Sequence, residues 1–346
     1  MSNCTNCLSA ERQKSLVPTY AVFAVEGCIL IISNFTVFFA ITFHKVMRKK
    51  KQYVVLAALA LINGINGLAC LIGGVSRLWF IYRGSANEMY SQWQCLLTPW
   101  QQLWVWADPL TQLMLLVVSV DRLIAVLKPV KYYKFTWRYA LKLCGAAYLY
   151  TFVTILASAY LTFPYQEPNY PKICISAWTY HPAYFLFLLY EIFFFSIGSV
   201  VVYGFVVVFY RRGKSKVGTG QQEAREAKVQ NEMTTTLGIS SAITLAFNVV
   251  PRFAELGVTL YDEPPEFFVL VASNAFTLMN LDSLLDFFIF TLRHKDLKYA
   301  TIYLFKCKQL TQARLDQMAT SAATKSKSAV SKQNQAGSGM QHMGHA

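Results

Sequence analysis

Apolar residues in this chain fall in long unbroken blocks, not at the three-to-four-residue intervals that mark one face of a surface helix. A helix of about 20 apolar residues crosses about 30 Å of hydrocarbon, and seven blocks reach that length. They run Thr19–Phe43, Tyr53–Val75, Thr98–Val126, Tyr139–Phe163, Ala183–Tyr210, Thr235–Tyr261 and Phe267–Leu292. Beyond them Leu297, Ala300, Thr301 and Leu304 recur at i, i+3, i+4 and i+7, with basic residues on other faces. That is the pattern of a helix lying in the membrane interface. The expected fold is all-α, a seven-transmembrane helix bundle with a short amphipathic eighth helix. Residues 1–18 form an N-terminal segment, 19–292 the bundle and 293–307 the interface helix. Residues 308–346, rich in Ser, Ala, Gln, Lys and Gly, read as a disordered tail.

Composition supports this picture. The chain is 55% hydrophobic and 14% charged, where soluble proteins carry charge at about one residue in four. Its net charge of +14 lies between the apolar blocks and along the tail, so no nucleic-acid partner is expected. Lys45, Arg48, Lys49, Lys50 and Lys51 fill the first connection, and Lys128, Lys131, Lys134 and Arg138 the third. Arg211, Arg212, Lys214, Lys216, Arg225 and Lys228 fill the fifth. The opposite loops hold only Arg12, Lys14, Arg77, Arg83 and Lys172. The positive-inside rule then places the N-terminus outside and the tail in the cytosol. The first apolar run starts after residue 18 and has full span length, so no cleavable signal peptide is expected. No metal-ligand spacing, nucleophile–base pair or phosphate loop is present, and neither enzyme chemistry, a cofactor nor a metal is expected.

The most informative stretch closes the third block. It reads Ser119-Val120-Asp121-Arg122-Leu123-Ile124-Ala125-Val126-Leu127-Lys128-Pro129-Val130-Lys131-Tyr132. A charge in hydrocarbon costs about 2.5–3.5 kcal/mol even on the lenient insertion scale. Asp121 and Arg122 are therefore either an ion pair that snorkels to water at the helix end or a functional site. The spacing Asp-Arg-x-x-Ala-Val-x-x-Pro-x-x-Tyr resembles the signature ending the third helix of rhodopsin-like G-protein-coupled receptors. The resemblance implies that Arg122 is restrained by Asp121 at rest and released to contact a heterotrimeric G protein when the sixth helix swings out. It groups Pro129, Tyr132, Tyr203 on the fifth helix and Glu232 near the foot of the sixth with that pair as the coupling set.

Other elements match the family with changes. Asn280-Leu281-Asp282-Ser283-Leu284-Leu285-Asp286-Phe287-Phe288-Ile289-Phe290 resembles the seventh-helix Asn/Asp-Pro-x-x-Tyr element, with Phe287 for Pro and Phe290 for Tyr. Asn34 and Asn63 fit the family's polar positions in the first two helices, Asn63 standing where the family's sodium pocket has a carboxylate. With Asp286 they are expected to meet in one hydrogen-bonded cluster that glues the helices or relays activation. Pro251 matches the family's sixth-helix kink proline and is read as the pivot, while Val249 replaces the aromatic switch residue. The resemblance also implies a Cys95–Cys174 disulfide. Cys95 lies two residues further from Arg122 than is usual in the family, which calls for an insertion or bulge. Cys28, Cys70 and Cys144 read as small buried hydrophobes. Cys307 is a candidate for palmitoylation or a structural thiol, and Asn3, in Asn3-Cys4-Thr5, is a glycosylation candidate.

The family's amine receptors carry an Asp about five turns before the Arg, a place taken here by Trp104, with Asp108 one turn deeper. Trp100, Gln101, Trp104 and Asp108 share one helical stripe. Together with Tyr190, Glu191, Arg252 and Glu255 they are candidates to line a pocket for a small extracellular ligand. Alternatively Arg252 pairs with Glu255 or Glu191 and only neutralises charge. Phe267–Leu292 contains no Lys for a Schiff base, so retinal is not expected. The charge pattern opposes the inverted insect odorant-receptor channels, and no paired halves of a transporter are visible. The lost switch aromatic, the lost seventh-helix Pro and the short N-terminus resemble nematode serpentine chemoreceptors of the Srsx group. The expected function is a chemosensory receptor in the plasma membrane, in a sensory cilium for that branch. A peptide or neuromodulator receptor is the near alternative, and a ligand-gated channel or transporter the distant one.

Overall fold

The computed structural model describes residues 8–175, 179–213, 235–236, 238–261, 265–311 and 314. Seven helices are long and apolar enough to cross a membrane: Ala10–Phe43, Lys51–Tyr82, Pro99–Leu127, Trp137–Thr162, Pro182–Arg212, Gly238–Leu260 and Ala275–Arg293. They are called the first to seventh helices below, and an eighth runs Lys295–Phe305. All seven sequence blocks become helices, but the ends differ. The first helix starts at Ala10 because Ser9 caps it, its hydroxyl accepting from the Arg12 N–H, with Glu11 in the positive first turn. The second continues past Val75 to Tyr82 and carries Arg77, expected in a loop, into the protein interior.

The first two helices approach closely because small residues meet there. A Cβ on Gly27 would lie 2.5 Å from the Leu71 backbone nitrogen, and one on Gly67 2.7 Å from the Leu30 Cβ. In lipid, where water does not drive helices together, such close backbone packing is a main source of association. The third helix packs on the second, fourth and fifth and forms the axis of the bundle. Outward faces carry residues such as Ile32, Leu149, Tyr160 and Phe194, the apolar surface a bilayer would cover. Cys28 belongs to this exposed surface, not to the core as expected, whereas Cys70 and Cys144 are buried.

Two helices are irregular. In the sixth, Leu245–Val249 is a π turn directly ahead of Pro251, whose missing N–H cannot continue the ordinary ladder. The seventh is interrupted at Asn274 (φ −108°, ψ 7°), which separates Glu266–Ser273 from the long segment.

At one end of the bundle, strand β1 (Met89–Ser91) pairs antiparallel with β2 (Pro168–Pro171). Cys95 sits on a short helix, Gln92–Leu96, opened by a reciprocal Ser91–Gln94 cap, and is bonded to Cys174. The break at Leu97–Thr98 before Pro99 absorbs the extra residues that the spacing to Arg122 demanded. At the other end Lys128 begins a short turn, Pro129–Lys134, and the eighth helix lies against the first. There the fully buried His44 reaches Ala300 O through Nε2 at 2.8 Å, and its Nδ1 accepts the Leu310 N–H at 3.2 Å.

Candidate functional site

The end bearing Asp121 and Arg122 is closed by a three-sided network. Arg122 donates to Asp121 Oδ2 through Nε at 3.1 Å and Nη2 at 2.5 Å, and through Nη2 to Tyr132 Oη at 3.0 Å. The Tyr132 hydroxyl donates in turn to Asp121 Oδ2 at 3.0 Å. Side-chain exposure is 5% for Arg122 and 2% for Asp121, so this is no snorkelling surface pair. Pro129 starts the turn that brings Tyr132 back under the third helix. Lys51 fixes that turn, donating to the carbonyls of Tyr132 and Phe135, its ammonium 3.6 Å from the Tyr132 ring centre. Tyr203 is buried nearby, its ring against the backbone of Gly238, in a cluster with Val206, Phe290 and Leu297. Glu232 lies outside the described residues.

The bundle interior holds a polar chain that differs from the expected one. Asn34 donates to Leu30 O, Asn63 accepts from Thr111, and Asp286 accepts from Ser240 at 2.5 Å. These three expected partners do not bond one another. They line a common cavity of about 20 Å³ with Phe287 and Phe290, room for a single water. The longer chain runs through residues the sequence reading passed over. Ser196 lies 3.0 Å from Gln112 Oε1 and 3.4 Å from Asn248 Oδ1. Asn248 Nδ2 lies 3.5 Å from Asp282 Oδ2, and Thr244 donates to Asp282 Oδ1 at 3.2 Å. The third, fifth, sixth and seventh helices are thereby linked. Ser240, Thr244 and Asn248 recur every fourth residue, as do Asp282 and Asp286, and that spacing was the missed signal. A second junction joins helices one, two and seven: Asn280 donates to Glu26 at 2.9 Å and accepts from Asn66 at 3.2 Å.

At the disulfide end Arg252 donates to both oxygens of Asp108 at 2.5 Å and to Glu255 at 2.8 Å. Arg252 thus pairs with Glu255, one of its two expected partners, and with Asp108 in place of Glu191. Glu191 packs beside Tyr150 of the fourth helix, and Tyr190, expected to line a pocket, faces outward and is 46% exposed. Gln101 donates to Cys174 O at 2.8 Å and to the Thr179 hydroxyl at 3.0 Å. Trp100 and Trp104 are buried beside it around Arg77. Arg77 was the main omission, because the hydrophobic block stopped two residues before it.

A family model described as the 7 transmembrane receptor (rhodopsin family) matches residues 33–305. The chain belongs to that family. No curated protein matches it. In this receptor Asp121, Arg122 and Tyr132 are the residue types that carried the resemblance, while Val249, Phe287 and Phe290 stand where the resemblance implies switch residues. Val249 closes the π turn, and Phe287 and Phe290 wall the small polar cavity. Cys307 is an exposed free thiol just past the eighth helix. That helix buries Leu297 and Ala300 against the bundle, with Thr301 and Leu304 partly covered. The receptor's Asn3 lies outside the described residues.

Proposed function

We propose that this receptor binds a small extracellular ligand at its disulfide end and activates a heterotrimeric G protein at its Asp121–Arg122 end, in a chemosensory role at the plasma membrane. The basic loops support an extracellular N-terminus and a cytosolic tail. The Asp121–Arg122–Tyr132 network carries the reading. A buried guanidinium held by a carboxylate and a phenol is a closed state that costs free energy to open, and ligand can supply it only by binding the open bundle more tightly. Opening frees Arg122, the residue best suited to hold a backbone carbonyl or C-terminal carboxylate of a partner. The π turn and Pro251 supply a hinge in the sixth helix, and the Ser240–Asp286 and Asn248–Asp282 contacts couple that hinge to the seventh. Cys307, beside an interface helix, is the proposed lipidation site.

The test is nucleotide exchange on purified G proteins reconstituted with the full chain. Arg122→Ala is expected to abolish exchange while surface expression persists. Unchanged exchange in that variant, or ligand-driven current without any G protein, would refute the coupling role.

A further inference from the structure

Beneath the disulfide-tethered loop a buried cation and two indole N–H groups stand together. Arg77 is 3% exposed. Its guanidinium donates to two backbone carbonyls, Nε to Ile173 O at 2.9 Å and Nη2 to Cys174 O at 2.7 Å. Around it stand the rings of Trp104, Tyr20 and Trp100, at 4.9, 5.3 and 6.0 Å from ring centre to guanidinium carbon. Among the described residues no carboxylate pairs with it: Glu26 is engaged by Asn280, and Asp108 and Glu255 by Arg252. The indole N–H groups of Trp100 and Trp104 are also buried without an acceptor, Trp104 having only the Cys70 thiol beside it, a weak acceptor. Ring faces and carbonyls offset part of the cost of burying a cation, but an unneutralised charge and unpaired donors in one place remain unfavourable. A negatively charged acceptor placed among them would offset both.

We propose that the ligand carries a carboxylate that seats between Arg77, Trp100 and Trp104 beneath the disulfide-tethered loop. The proposal rests on the receptor reading above and specifies its ligand class. A carboxylate presents two oxygens with about four lone-pair directions, enough for the remaining guanidinium donors and two indoles. One unneutralised cation matches one negative charge.

The experiment uses the full chain in lipid nanodiscs and reads thermal unfolding. The probes are aliphatic and aromatic monocarboxylic acids at millimolar concentration, with matched methyl esters and amines. The acids are expected to raise the melting temperature where their esters and amines do not. Trp104→Phe keeps the ring and removes the N–H, and is expected to weaken the best acid about tenfold. Arg77→Lys weakens it further by losing the fork, and Arg77→Gln abolishes it. Trp104→Phe decides the matter if the Arg77 variants fail to fold. No shift with any acid, equal shifts with the esters, or undiminished affinity in Trp104→Phe would overturn the proposal. Binding is read without a G protein. A shift without nucleotide exchange therefore refutes only the coupling role, and exchange without a shift refutes only the carboxylate site.

Discussion

Tyr132 donates to Asp121 and accepts from Arg122, so one phenol oxygen holds two sides of the closed network. Burial keeps that phenol's pKa well above the ordinary tyrosine value, and it remains a donor at every physiological pH. Tyr132→Phe is expected to favour the open state by about 1 kcal/mol, roughly fivefold, seen as ligand-independent nucleotide exchange above wild type. Asp282 and Asp286 sit one turn apart and meet no basic side chain among the described residues. Asp286→Asn keeps the acceptor for Ser240 and removes a buried carboxyl that no basic side chain among the described residues pairs, so it should stabilise the receptor by about 1 kcal/mol in thermal unfolding. His294, between the seventh and eighth helices, has its pKa lowered to about 4 chiefly by burial, with Asp296 opposing and Arg122 and Arg293 adding to the effect. The unfolded chain takes up the proton near pH 6.5, while the folded protein resists until about pH 4. Stability therefore falls as pH drops through that window, by at most about 3 kcal/mol. His294→Phe, which preserves the stack on Phe290, should lose that acid sensitivity in melts compared at pH 7 and 5. The Asp121–Arg122–Tyr132 residues were legible in sequence because their spacing is fixed by one helix and one turn. Arg77 and Asp282 were not, since their meaning depends on which groups from other helices surround them.

At the scale of elements, the seven spans were readable because each is a block long enough to cross hydrocarbon. Their ends were not, because capping and interior packing set them: Ser9 starts the first helix early, and Arg77 is drawn inside the second. The helix-breaking features were half legible. Pro251 marks its position in sequence, but the π turn ahead of it and the interruption at Asn274 arise from packing. Gly27 is the most demanding point in the first interface, where added side-chain atoms would strike the Leu71 backbone. Gly27→Leu should separate the two helices and lower stability by about 2–3 kcal/mol, measured as a fall in melting temperature and in correctly folded surface receptor. The eighth helix is held by apolar contacts from Leu297 and Ala300 and by the two bonds of His44, whereas the part-exposed Lys50–Asp296 pair adds little.

For the whole molecule, the two ends answer to different parts of the chain. The Asp121–Arg122–Tyr132 network comes from the third helix and the turn after it, while the disulfide end is assembled from helices two, three and six and the loop that Cys174 ties down. Between them the interior polar chain links helices three, five, six and seven. The disulfide also has a consequence for the order in which the receptor is made. Both cysteines precede the fifth helix, and the bond spans 79 positions enclosing helices three and four. A nascent chain can close it before the last three helices leave the ribosome. Helices three and four, with the paired strands β1 and β2 at their ends, then become a covalently closed unit. The fifth to seventh helices are added to a scaffold whose outer loop is already tethered.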